Sequence, residues 1–155
     1  MTEASIAEIS PGSFLAAIRT DEAPEPASTP SAFDGFYLSR SHDGIHWSTP
    51  ESLAERGRMP RFYRFGDLWA LAYRLYNGSQ RIQHSAIRFS RDGKSWTGPV
   101  IVEDGVAVHP ELVEVQGRII AFNYLLPYGS EIGTRNVLSA PEFIYEQTGT
   151  SKPRR

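Results

Sequence analysis

The chain has 155 residues with 16 basic against 18 acidic side chains, a net charge of −2 that gives a polyanion no electrostatic footprint, so nucleic-acid binding is not expected. Hydrophobic residues make up 40 %, enough for a buried core, and no apolar run approaches the roughly 20 residues of a membrane span. No cysteine is present, which excludes disulfides, thiolate metal ligands and a thiol nucleophile. The start Met-Thr-Glu-Ala-Ser-Ile has neither the basic end nor the apolar stretch of a signal peptide, so a cytoplasmic chain is expected.

Thirteen glycines and eleven prolines punctuate short apolar or alternating runs that show no helical period, which predicts an all-β fold. In chain order the predicted strands are 6–9, 14–19, 35–40, 60–65, 68–74, 84–90, 100–102, 111–115, 118–124 and 136–138. Between the second and third lies the segment 20–33, with three prolines and the acids Asp21, Glu22 and Glu25; it reads as a solvated Pro-rich loop, with a lid as the lesser alternative. Residues 148–155 read as a frayed tail.

Self-similarity is the stronger signal. Ser41-His-Asp-Gly-Ile-His-Trp47 recurs 49 residues later as Ser90-Arg-Asp-Gly-Lys-Ser-Trp96. Asp-Gly supplies a tight reversal, Ser and Asp can accept from the turn's own N–H groups, and the Trp packs the turn on its neighbour. That assigns a structural role to Ser41, Asp43, Gly44, Trp47, Ser90, Asp92, Gly93 and Trp96.

A strand–turn–strand pattern also repeats. Glu3 through Arg19 aligns with Met59 through Arg74 and with His109 through Tyr124, one residue shorter in the last two turns. Hairpin, loop and hairpin in about 50 residues is the size of a four-stranded propeller blade. Three blades are expected, at about 3–54, 58–104 and 108–147, with Ala140-Pro-Glu-Phe-Ile-Tyr145 replacing the Asp-Gly-Trp turn in the third.

These repeats resemble the Asp boxes of the sialidase (neuraminidase) superfamily, one residue shorter than that family's usual form. Glu3 to Arg19 is similar to the sialidase segment in which a Glu precedes a strand–turn–strand ending in Arg. The resemblance implies the C-terminal half of a six-bladed ring and an exo-acting glycoside hydrolase of acidic sugars such as sialic acid. It further implies Glu3 as general base, Arg19 with Arg74 or Arg81 as carboxylate ligands, and His109 or Tyr124 near the anomeric carbon; Tyr128 is a further tyrosine for that place. His109-Pro110 stands where the family has its tyrosine nucleophile. The alternative is a carbohydrate-binding or structural propeller without chemistry.

By propeller geometry, Glu3, Met59 and His109 open inner strands at the same rim where Arg19, Arg74 and Tyr124 close the following ones. An arginine fork suits a carboxylate there, and a nearby glutamate can move a proton. The partner is thus expected to be a glycan, with no cofactor and no metal. His42, Asp43 and His46 sit in a turn whose copy carries Arg91, Asp92 and Ser95, which speaks against a metal site. Arg56, Arg58, Arg61 and Arg64 read as a solvated or inter-blade face. Three blades leave two open sheet faces, so either a homodimer closing a six-bladed ring or a piece of a longer chain is expected.

Overall fold

The computed structural model describes residues 3–20, 35–76, 83–104, 110–125, 137–139 and 142–143, and these form eleven β-strands. They are β1 (Glu3–Ser10), β2 (Ser13–Thr20), β3 (Gly35–Ser41), β4 (Glu51–Phe65), β5 (Leu68–Tyr76), β6 (Gln83–Ser90), β7 (Val100–Asp104), β8 (Glu111–Val115), β9 (Arg118–Leu125), β10 (Val137–Ser139) and β11 (Glu142–Phe143). Strands β1 to β7 follow one another as antiparallel neighbours, and β8, β9, β10 and β11 form a second sheet. Antiparallel pairing of each strand with the next is the meander of propeller blades.

The seven-stranded run is two blades sharing one long strand. The first part of β4 pairs with β3, at Leu38↔Glu51, Tyr37↔Ser52 and Gly35↔Arg56, and the second part pairs with β5, from Gly57↔Leu75 to Phe65↔Leu68. Ala54 and Met59 have φ of 56° and 54°, and the register slips between Arg58 and Arg61, which puts a bend and a bulge where the strand leaves one blade for the next. Pro60 sits in that bulge, where its missing N–H interrupts no ladder. The strand at 51–56 was not among those expected from sequence. Glu51-Ser-Leu-Ala-Glu-Arg56 has one large apolar residue, Leu53, and it is the outer strand of its blade, with a single side to bury.

In the third blade β10 and β11 both pair with β9. Val137↔Leu125 and Glu142↔Ile120 share one register, so β10 and β11 lie along one line of pairing with β9. Phe143 pairs with Ile119, the position that Ser41 holds opposite Phe14 and Ser90 holds opposite Trp69. Of the segment 140–145 expected to replace the turn motif, Glu142 and Phe143 pair with β9, Phe143 standing in place of the motif's first serine, and the other residues lie outside the described ones.

Burial follows from this stacking. Between blades 1 and 2, Leu15, Ala17, Phe36 and Leu38 meet Leu71, Tyr73 and Ala86, with Ile9, Leu53, Phe62, Leu75 and Trp96 packed around them. Between blades 2 and 3, Leu68, Ala70, Ala72, Ile87 and Phe89 meet Leu112, Ile119 and Ala121. β5 is covered on both sides, which is why Leu-Trp-Ala-Leu-Ala-Tyr reads as an unbroken apolar run, whereas β1 alternates half-buried with exposed residues. At the first interface Phe36 and Tyr73 approach to 4.9 Å between ring centroids, and Gly57 lies against both rings. A Cβ on Gly57 would stand 2.9 Å from Phe36 Cδ1 and 3.1 Å from Tyr73 Cδ2. Gly57→Ala is expected to destabilise the chain by about 1–3 kcal/mol, read as a lower urea midpoint at unchanged slope.

The two Asp-Gly turns close on themselves as expected. Ser41 Oγ accepts the Gly44 N–H at 2.9 Å, and Asp43 Oδ1 accepts the Ile45 and His46 N–H groups at 2.8 Å each. In the copy, Ser90 Oγ accepts Gly93 N–H at 2.9 Å, and Asp92 Oδ1 accepts Lys94 and Ser95 N–H at 2.7 and 2.8 Å. Gly44 and Gly93 take φ of 74° and 67°, a left-handed conformation that glycine adopts without a Cβ penalty. Trp96 lies 6.0 Å from Phe62 in the blade 1–2 interface, and Arg40 Nη1 donates to Gly93 O at 2.7 Å, so the second turn also ties blade 2 to blade 1.

Both aspartates are held below their ordinary 3.8: Asp92 to about 2, by the N–H groups of Ser95 and Lys94, and Asp43 further, chiefly by the His46 ring at 2.6 Å and then by backbone N–H groups. Because the folded pKa is depressed, this stabilisation is complete above pH 3.8 and is lost as pH falls through about 2. Asp92→Asn is expected to remove part of the acid sensitivity between those limits, measured as denaturation midpoint against pH; an unchanged profile would show that the turn carboxylate does not couple to folding.

Candidate functional site

The inner strands β1, β4 and β8 lie next to one another, joined by side chains that reach from blade to blade. At the rim, register places Glu3 opposite Arg19, and Glu3 Oε1 lies 3.3 Å from Arg19 Nη1. The other carboxylate oxygen, Oε2, accepts the Met59 N–H at 2.7 Å. That N–H is offered by the bulge of β4, so Glu3 holds both the guanidinium on its own hairpin and the inner strand of the next blade. Arg19 is only 7 % exposed. Two residues along, Ser5 Oγ accepts the Phe62 N–H at 3.4 Å.

On the rim of blade 2, Arg74 of β5 faces Arg58 of β4 and Ser85 of β6. Like charges directly opposite on a sheet are unfavourable. The Arg58 guanidinium lies 5.0 Å above the Tyr76 ring, and Arg74 Nε is buried with no hydrogen-bond partner among the described residues. A buried charged donor left without an acceptor is costly, and an anion supplied from outside would satisfy it.

Deeper along β4 and β8, Arg61 pairs with Glu111, and Tyr63 Oη donates to Glu111 Oε2 at 2.7 Å. Burial and the Glu111 carboxylate push the Tyr63 phenol up to about 12, and its bonds to Tyr63 and Glu111 raise Arg61 above the usual arginine range. Tyr63 is therefore a neutral donor at physiological pH, and Glu111 is a partly exposed carboxylate held between a phenol and a guanidinium. A carboxylate so placed on an inner strand can transfer a proton to or from a bound sugar.

Of the residues singled out in the sequence, the structure brings Glu3, Arg19 and the Met59 backbone into one cluster and sets Arg74 on the neighbouring rim. Tyr124 takes its place on β9 opposite Leu138, while its side chain, Arg81, His109 and Tyr128 lie outside the described residues. Among the described residues no group of three or more His, Asp or Glu side chains is arranged to hold a metal ion, and His46 instead bonds Asp43 within the turn. Sequence reasoning missed Arg58, Arg61, Tyr63 and Glu111 as a set. One signal was available: Ser5, Arg61 and Glu111 occupy the same position of the repeat, so opposite charges at equivalent positions of adjacent blades mark an inter-blade pair.

No family profile matches the chain, and no curated protein matches it. Among solved structures it is similar to the GH32 β-fructofuranosidase BmSUC1 of Bombyx mori, at TM-score 0.50 and 16 % identity over 90 % of this chain and 32 % of that one. It is also similar to the sucrose-6-phosphate hydrolase of Lactobacillus gasseri, at TM-score 0.50 and 16 % identity over 77 % of this chain and 27 % of that one. A third likeness, to a protein of Parabacteroides distasonis, has TM-score 0.52 and 16 % identity over 79 % of this chain and 46 % of that one.

This likeness fixes the architecture: the chain is all-β and forms part of a β-propeller, the fold of these neighbours. It spans about a third of the length of the first of them. The named neighbours are a β-fructofuranosidase and a sucrose-6-phosphate hydrolase, so the likeness bears out the propeller of the resemblance drawn from the repeats and leaves its sialidase branch without support from them. The Ser and Asp side chains of the two Asp-Gly turns bond the turns' own N–H groups, so the motif itself answers to the hairpin.

Proposed function

We propose that the chain is part of a propeller glycoside hydrolase that binds an anionic sugar at the mouth of its channel. The observation that carries this reading is the rim of blade 2, where Arg58 and Arg74 are register partners and Arg74 Nε is buried with no acceptor among the described residues, one blade from the Glu3–Arg19 pair. Such a rim suits a sugar carboxylate, and equally a sugar phosphate such as that named for the Lactobacillus gasseri neighbour.

Within this reading Arg19 and Arg74, with Arg81, hold the anion. Glu3 spends both oxygens on Arg19 and Met59, which suits a positioning residue better than the general base first expected. Glu111 takes over proton transfer, with Tyr63 and Arg61 setting its orientation. His109, two residues before Glu111, and Tyr124 keep their places near the anomeric carbon. Sialic acid stays the candidate substrate on the Glu3-to-Arg19 pattern, and fructosides enter through the neighbours' names.

The test is a panel of fluorogenic α-sialosides and β-fructofuranosides together with sucrose and sucrose 6-phosphate. Turnover of an anionic member that is lost in Glu111→Gln supports the reading. Binding without turnover in the whole panel replaces it with a carbohydrate-binding propeller, and turnover of neutral members alone removes the anion from it.

A further inference from the structure

We propose that Glu3 is a positioning residue for the arginine pair of blade 2, acting through the backbone of Met59; this rests on the anionic-ligand reading of that rim and names what assembles it. Met59 has φ of 54°, and of the three non-glycine residues with positive φ among the described residues it alone precedes a proline. Left-handed backbone is unfavourable for a residue with a Cβ, and a following proline pushes its predecessor toward extended conformations, so the backbone here is opposed twice. Such strain persists only where the surroundings impose it, and it gathers at functional sites.

The strain opens a bulge. Between Arg58↔Arg74 and Arg61↔Ala72, Met59 and Pro60 stand opposite Tyr73 alone, and a left-handed residue in the first place of such a bulge is usually glycine. The bulge decides which residue stands opposite Arg74. From Phe65↔Leu68 to Arg61↔Ala72 the strands β4 and β5 keep one register; continued without the extra residue, it would set Met59 opposite Arg74 and turn Arg58 to the face of Leu75, toward blade 1. With the bulge, Arg58 is the register partner of Arg74, and its guanidinium lies 5.0 Å from the centre of the Tyr76 ring, two residues along the same face. Strained backbone thus makes two arginines cross-strand partners, a pairing that sheets disfavour and that an anion would favour.

What holds Met59 in this conformation comes from the neighbouring blade. Glu3 Oε2 accepts the Met59 N–H at 2.7 Å, and Oε1 lies 3.3 Å from Arg19 Nη1, so the carboxylate is anchored on its own hairpin while it fixes the direction of that N–H. A hydrogen bond to an ionised acceptor is roughly twice as strong as a neutral one, which suits Glu3 to impose a conformation that methionine does not prefer.

Calorimetric titration with inorganic phosphate and with N-acetylneuraminic acid tests this. Coulomb's law alone predicts that removing a carboxylate from a rim of arginines tightens anion binding. Glu3→Ala is expected to weaken it instead, about tenfold or more, and Glu3→Gln, which keeps an oxygen for the Met59 N–H, is expected to lose less. Adding Met59→Gly, which holds a positive φ without a Cβ penalty, is expected to return Glu3→Ala to within about threefold of wild-type affinity. Unchanged or tighter binding in Glu3→Ala overturns the proposal, as does a Glu3→Ala/Met59→Gly chain that binds no better than Glu3→Ala. Should Glu3→Ala not fold, Met59→Val keeps the carboxylate but places a β-branched residue at a positive φ, and the same loss is expected; wild-type affinity in it overturns the proposal. A wild-type chain that binds neither probe removes the anionic reading of the rim, and the backbone carbon shifts of residue 59 then decide: they are expected to leave left-handed values in Glu3→Ala, and shifts that stay overturn the proposal.

Discussion

Replacing Glu55 with alanine is expected to cost about 3 kcal/mol of stability, because it removes the one carboxylate from a hydrogen-bonded cluster between blades 1 and 2. Glu55 Oε1 accepts from Tyr73 Oη at 2.6 Å and from Arg88 Nε at 2.8 Å, and Arg88 Nη1 donates to Thr97 O at 2.6 Å. The Glu55 and Arg88 side chains are 11 % and 13 % exposed, and Tyr73 is fully buried. Burial, followed by the Glu55 charge, drives the Tyr73 phenol well above its ordinary 10, so it is a neutral donor. Without Glu55 the Arg88 guanidinium stays under the blade interface with a phenol and one carbonyl for company and no opposing charge.

For a chain of this size the loss corresponds to a melting temperature lower by roughly 6–12 °C. The double variant Glu55→Ala/Arg88→Ala is expected to lose less than the sum of the single changes, since neither charge is then stranded. Chemical denaturation of the four proteins measures both quantities. A loss below about 1 kcal/mol would place the pair with hydrated surface ion pairs and remove it from the forces that hold the blades together.

The repeat made the architecture legible because a blade must reverse direction at fixed intervals, and the Asp-Gly-Trp turns record those reversals 49 residues apart. The most apolar strands, β5 and β9, were visible as runs. The first part of β4 was not, because an outer strand buries one side only and Leu53 was its sole large apolar residue. The Glu3–Arg19 pair was legible for a local reason: a hairpin with its turn at 11–12 sets residue 3 opposite residue 19. The clusters of Tyr63 with Glu111 and of Glu55 with Arg88 were not, since they join residues 48 and 33 positions apart whose meeting depends on how blades stack. The substrate class was least legible, because the turn motifs spend their Ser and Asp side chains on their own backbone and leave the Glu3-to-Arg19 pattern alone to suggest it.

The second large effect falls on the rim. Arg19→Ala is expected to lower kcat/KM for an anionic substrate by about a hundredfold, equivalent to about 2.7 kcal/mol of lost transition-state stabilisation. Arg19→Lys is expected to recover only part of this, because an ammonium cannot present two parallel N–H donors to a carboxylate. Arg74→Gln carries a sharper signature. Removing the charge whose Nε is buried with no partner among the described residues relieves an unfavourable burial, so its melting temperature is expected to hold or rise while affinity for the anion falls about tenfold or more. A residue that served only the fold would show the reverse, a lower melting temperature with binding kept.

Calorimetric titration of the folded chain with N-acetylneuraminic acid and with its methyl ester addresses the anion at the rim, since the two ligands differ only at the carboxyl group, charged in one and a neutral ester in the other. The acid is expected to bind about tenfold or more tightly than the ester, and Arg74→Gln is expected to erase the difference. Equal affinity for acid and ester, or a difference that survives in Arg74→Gln, would contradict it.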